Sequence, residues 1–154
     1  MNILYTAFKG KNNSSKILLD NIISNNKLYL TNSFVTSKLE LQEELRKNSY
    51  DLIVAFGQAP LDNNSIKIET TATGNQKYVT NYEYSTLRHI LENDYNVIVS
   101  KDAGNYLCNN IYYVGLKYIY ENSLNTKMIF IHIPKINKIT DITKLSRIMN
   151  LDKI

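Results

Sequence analysis

Short apolar runs alternate along the chain with stretches whose apolar residues recur at three- and four-residue spacing. Ile3–Phe8 is a near-continuous apolar block, the pattern of a strand buried on both faces. Residues 15–23 carry Ile17, Leu18 and Ile22 at helical spacing, and residues 27–34 predict a second strand. Thr36 or Ser37 is positioned to cap the next helix, which carries Leu39, Leu41 and Leu45. Residues 51–56 form another apolar run, closed by Gly57. The stretch 58–82 is polar and turn-rich, with Pro60, Asp62-Asn63-Asn64 and Gly74-Asn75, and predicts a hairpin or irregular pair over 66–71 and 77–80. Beyond it the pattern predicts a helix over 84–91, a strand over 96–100 and a helix over 106–120. A last strand over 128–133 and a short helix over 140–149 complete the series.

Strands alternating with helices predict an α/β fold: a single-domain αβα sandwich over residues 1–154 with a mainly parallel central sheet. In such sheets, sites form beyond the carboxyl ends of the strands. Three segments leaving predicted strands carry useful chemistry: Gly57-Gln58-Ala59, Ala103-Gly104 through Cys108, and His132-Ile133-Pro134.

Composition narrows the classes. The chain has 154 residues, 44% hydrophobic and 21% charged, as expected of a globular protein with one core. Its net charge of +4 comes from scattered lysines, with no basic stripe to grip nucleic acid. The longest apolar run, 128–134, is interrupted by His132 and is far too short to span a bilayer. The first residues lack the charged, apolar and cleavage regions of a secretory signal. One cysteine excludes an internal disulfide and a cysteine-rich metal cluster, so a reduced, cytoplasmic setting is expected, with no metal or cofactor.

Cys108 follows the turn Asp102-Ala103-Gly104 and stands near the start of the helix predicted over 106–120. There the helix dipole favours a thiolate, and free N–H groups suit an oxyanion. A buried structural cysteine is the other reading of the same position. His132, near the end of an apolar strand, needs polar partners: backbone carbonyls if it is a core histidine, the thiol if it is a general base. His89, mid-helix beside Arg88, reads as a surface residue. Glu69, in the alternating segment Ile66-Lys67-Ile68-Glu69, suits either a solvated strand or the orienting role in a triad. Spacing does not choose among the acids.

The surrounding residues carry a resemblance. Ser100-Lys101-Asp102-Ala103-Gly104-Asn105-Tyr106-Leu107-Cys108-Asn109 resembles the nucleophile segment of pyroglutamyl-peptidase I, the pyrrolidone carboxyl peptidases. Phe130-Ile131-His132-Ile133-Pro134 is similar to that family's histidine segment, and Gly57-Gln58-Ala59 with Ile66 and Glu69 to its glutamate segment. Tyr84-Ser85-Thr86-Leu87 and Ile3-Leu4-Tyr5-Thr6-Ala7-Phe8 resemble a helix opening and the first strand. The resemblance implies a cysteine peptidase that removes N-terminal pyroglutamate from peptides through a thioacyl intermediate. Cys108 would be its nucleophile, His132 its base and then acid, and Glu69 the orienter. It implies Phe8, Asn13, Gln58, Tyr106 and Leu107 as substrate-binding positions, since aromatic walls with a few polar contacts suit a flat, uncharged lactam. It also implies a homo-oligomer, dimer or tetramer. The chain departs from the family pattern in its short Lys9-Gly10-Lys11-Asn12 segment, in Pro60-Leu61-Asp62 for the usual Gly-Arg, and in Asp102 and Asn105 for Asn and Thr. A shortened, non-catalytic relative that binds peptide ends is the alternative those departures raise.

Overall fold

A computed structural model of the chain describes residues 1–153. Its centre is a six-stranded sheet in the order β2-β1-β3-β8-β4-β7. The strands are β1 (Ile3–Phe8), β2 (Lys27–Leu30), β3 (Leu52–Gln58), β4 (Ser65–Glu69), β7 (Asn96–Ser100) and β8 (Lys127–Ile133), while β5 (Thr71–Thr73) and β6 (Lys77–Val79) form a separate two-stranded ribbon. Every neighbouring pair in the large sheet is parallel except β4 with β8, so β4 and β7 run against the other four strands.

Five α-helices cover the sheet: α1 (Ser14–Asn21), α2 (Phe34–Lys47), α3 (Ser85–Leu91), α4 (Leu107–Glu121) and α5 (Ile142–Ile148). Side-chain parity along the strands sorts the core into two layers. Ile3, Tyr5 and Ala7 of β1, Leu52, Val54 and Phe56 of β3, and Ile129, Ile131 and Ile133 of β8 pack with α1, α3 and α5. Leu4, Phe8, Ile53, Ala55, Met128 and Phe130 pack with α2 and α4 on the opposite face. The sandwich expected from the alternation of elements is present.

Two expected elements differ. Strand β2 stops at Leu30, because Ser33 rather than Thr36 or Ser37 caps α2: its Oγ accepts the Thr36 N–H at 3.2 Å. Phe34 thus opens a helix and stands exposed instead of extending a strand. The predicted pairing of 66–71 with 77–80 is also replaced. Residues Ser65–Glu69 insert into the large sheet between β8 and β7, and only Thr71–Thr73 pairs with Lys77–Val79. Ile66 and Ile68 join the α1 layer of the core, a burial that an isolated hairpin would not provide.

Candidate active site

Parity that builds the core also builds the site. In β8, Met128 and Phe130 point toward α4, and His132 continues that series. In β4, Ile66 and Ile68 point the other way, so Lys67 and Glu69 share the face of His132. Pairing fixes the level of each: Gly57 is opposite His132 across β3 and β8, and His132 is opposite Lys67 across β8 and β4. Strand β7 runs against β8, so its carboxyl end does not share the edge formed by β3 and β8. The loop after it, residues 101–106, covers that edge and delivers the start of α4.

Cys108, His132, Glu69, Lys67, Gln58, Asp102 and Tyr106 line one cleft of about 360 Å³. A larger cleft of about 800 Å³, between β6 and the start of α3, has neither thiol nor imidazole in its lining, so the chemistry selects the smaller. Glu69 is fully buried, and its Oε2 lies 2.6 Å from His132 Nδ1. A carboxylate accepts here, so Nδ1 carries the hydrogen and Nε2 is left with a free lone pair. Tyr112 Oη donates to the Glu69 carbonyl oxygen at 2.8 Å, fixing the strand beneath the carboxylate. The Phe130 ring packs against the imidazole, with centroids 4.9 Å apart.

Cys108 is the second residue of α4 and is partly buried. Its sulfur fits because residue 57 is glycine: a Cβ there would lie 2.6 Å from Cys108 Sγ. No side chain caps α4, so its first N–H groups have no side-chain acceptor and face the region of the thiol. The helix start is held in place by Asn109, whose Oδ1 accepts the Thr73 N–H at 3.0 Å and whose Nδ2 donates to the Thr73 carbonyl at 2.8 Å. The entering turn is set by Asp102 Oδ1, which accepts the Gly104 N–H at 2.9 Å, with Gly104 at φ +88°.

Burial, and secondarily the charge of Glu69, pushes the Cys108 thiol up to about 12. Desolvation and a nearby carboxylate both favour the neutral S–H, in the opposite sense to the helix-dipole expectation of a thiolate. Alkylation of the free protein by iodoacetamide should accordingly rise about tenfold per pH unit from pH 7 to 10, without a plateau near 8.5 as for an ordinary thiol. A stopped alkylation series read by mass spectrometry checks this, and a plateau below pH 9 would contradict it.

The resemblance-implied positions divide. Gln58 and Tyr106 line the cleft, although Gln58 Oε1 already accepts the Ser14 N–H at 2.9 Å and Tyr106 is 67% exposed, edge-on to Phe34. Phe8 and Leu107 lie outside that lining, buried in the core layer under α2 and α4. Asn13 also lies outside it: its Oδ1 caps α1 by accepting from Ser15 N–H at 2.9 Å and from Ser15 Oγ–H. His89 is exposed on α3, as expected. Sequence reasoning passes over Lys67, Tyr112 and the contact between Gly57 and Cys108. The first is signalled by its two-residue spacing from Glu69; the others depend on packing across elements.

Among the described residues no group of three or more His, Cys, Asp and Glu side chains gathers as a metal site, and no helix is long and apolar enough to cross a membrane. The fold and cleft define an α/β protein in which a thiol, an imidazole and a buried carboxylate share one opening. The chain belongs to the pyroglutamyl peptidase family, whose sequence model matches residues 62–154. It is 56% identical over 36 residues to pyrrolidone-carboxylate peptidase 1 of Caldanaerobacter subterraneus subsp. tengcongensis and 53% identical over 36 residues to peptidase 2 of that organism. Each match covers 23% of this chain and only 18% of the curated relative. The pyrrolidone carboxyl peptidase from Thermococcus litoralis shares the fold at a TM-score of 0.79 and 18% identity, over 98% of this chain and 91% of that one. Pyroglutamyl peptidase I of Bacillus amyloliquefaciens superposes at 0.80 and 18% identity, over 97% and 93%.

Proposed function

We propose that this chain is a cysteine peptidase that removes N-terminal pyroglutamate from peptides. The observation that carries the reading is the buried 2.6 Å contact between Glu69 and His132 in the cleft that also holds Cys108. Because the resting thiol is neutral, His132 Nε2 acts as base when substrate is bound, taking the proton as Cys108 Sγ attacks the pyroglutamyl carbonyl. N–H groups at the start of α4 receive the developing oxyanion. The imidazolium then protonates the departing amine, leaving a thioacyl enzyme. Water, deprotonated by His132, releases pyroglutamate and restores the thiol. Glu69 holds the tautomer and stabilises the imidazolium in both halves. Gln58 and Tyr106 border the acyl group, whereas Phe8, Asn13 and Leu107 stand outside the cleft lining.

The lone free cysteine suits a reducing cytoplasm. Exposed Phe34, Val35 and Leu39 on α2, beside Tyr106, support assembly as a dimer or tetramer. The test is incubation with a pyroglutamyl amide bearing a chromogenic leaving group. Thiol-dependent release that iodoacetamide stops is expected, whereas folded protein inert toward a panel of such amides would favour a peptide-end binder.

A further inference from the structure

Gly57, His132 and Lys67 lie in one row across three adjacent strands, and that row gives the cleft a direction. Cys108 Sγ sits above Gly57 at one end, His132 is in the middle, and Lys67 is at the other end. Strands lie about 4.8 Å apart, so the Cα atoms of Gly57 and Lys67 are separated by roughly 10 Å. The acyl carbon bonds to Sγ, and the departing nitrogen must take its proton from His132. A leaving group that runs along the row, away from Sγ, meets Lys67, the one cation in the cleft lining.

Lys67 pairs with Glu69 by charge alone and keeps its hydrogen-bond donors for the leaving group. Its nearest acidic partner is Glu69 Oε2 at 3.8 Å, beyond hydrogen-bond reach, and that oxygen already accepts from His132. The side chain is 28% exposed within the cleft and is the one lysine or arginine among its lining residues. Asp102, the other acid there, is engaged by Gly104 N–H. An ammonium has three donors, and none is spent on a protein hydrogen bond among the described residues.

We propose that Lys67 is a specificity residue that receives a carboxylate on the leaving-group side, so that the cleft prefers pyroglutamyl substrates with an anion close behind the scissile bond. This rests on the peptidase reading above. Two sources supply that chemistry: the α-carboxylate of a free leaving amino acid, two bonds from the departing nitrogen, or an acidic side chain on that residue. The α-carboxylate, nearer to the scissile bond and on the shorter tether, is the assigned source.

The test measures binding without turnover. Calorimetry with the Cys108→Ala protein compares pyroglutamyl-glycine with pyroglutamyl-glycinamide, and the α-amide of pyroglutamyl-glutamic acid, whose side-chain carboxylate is free, with the α-amide of pyroglutamyl-glutamine. The acid of the first pair should bind about tenfold more tightly than its amide, with the advantage shrinking as salt rises. Adding Lys67→Met should bring that ratio within about twofold, and Lys67→Arg should restore most of it. A larger acid preference in the second pair would move the carboxylate to the side chain and overturn the α-carboxylate assignment. Equal binding of acid and amide, no binding of either, or a preference that survives Lys67→Met would overturn the role of Lys67. The wild-type assay with an uncharged pyroglutamyl amide judges the peptidase reading separately, since that substrate offers Lys67 no anion.

Discussion

Cys108→Ala is expected to reduce turnover of pyroglutamyl amides to background, a loss of at least about 10⁴-fold, while leaving the fold nearly as stable as before. The two readouts separate the two readings of this cysteine. A structural cysteine deep in a core would cost stability when truncated, through lost contacts and a cavity. Cys108 is only partly buried and opens onto the cleft, so loss of one sulfur should lower stability by about 1 kcal/mol or less. The rate depends on that sulfur completely, because the thioacyl intermediate cannot form without it. Initial rates with a chromogenic amide, together with a thermal melt, provide the measurement. More than about 1% residual activity, or a collapse of the melting temperature with proportionate loss of rate, would remove Cys108 from the mechanism.

The legible parts of this site are those whose physical signals are local. Cys108 at a strand-to-helix turn and His132 at the end of a buried strand are local patterns, and both stand where the periodicity puts them. Strand β4 marks where local signals stop. Alternation of Ile66, Lys67, Ile68 and Glu69 reads as a strand with one face in water, as in an edge hairpin. In the fold the strand is central, and its polar face is the wall of the cleft. A polar face on an internal strand and a polar face in solvent give the same sequence.

Phe8 and Leu107 illustrate the converse. Leu107 is apolar and adjoins Cys108 in sequence, Phe8 closes strand β1, and both are turned into the core layer of α2 and α4. The state of the thiol is also beyond sequence. A helix start argues for thiolate, but the burying residues and Glu69 lie on other elements, and both push the thiol toward its neutral form.

Glu69→Gln should move two quantities in opposite directions. Turnover is expected to fall by about 10³- to 10⁴-fold, because a glutamine keeps the shape but loses the charge that holds Nδ1–H and stabilises the imidazolium. Its amide can also donate to Nδ1, which would leave the hydrogen on Nε2, where a base is needed. The thiol responds the other way. Part of its upward displacement comes from the Glu69 charge, so a neutral residue lets thiolate form at lower pH, and Lys67, freed from its acidic neighbour at 3.8 Å, adds to that effect. Alkylation by iodoacetamide at fixed pH, between 8 and 10, should then be faster in the variant than in the parent protein. A merely structural glutamate would give a different pattern, with rate and stability falling together and alkylation rising only through unfolding. Slower or unchanged alkylation in a folded Glu69→Gln protein would show that the carboxylate does not act on the thiol. Retained turnover would show that it does not position His132.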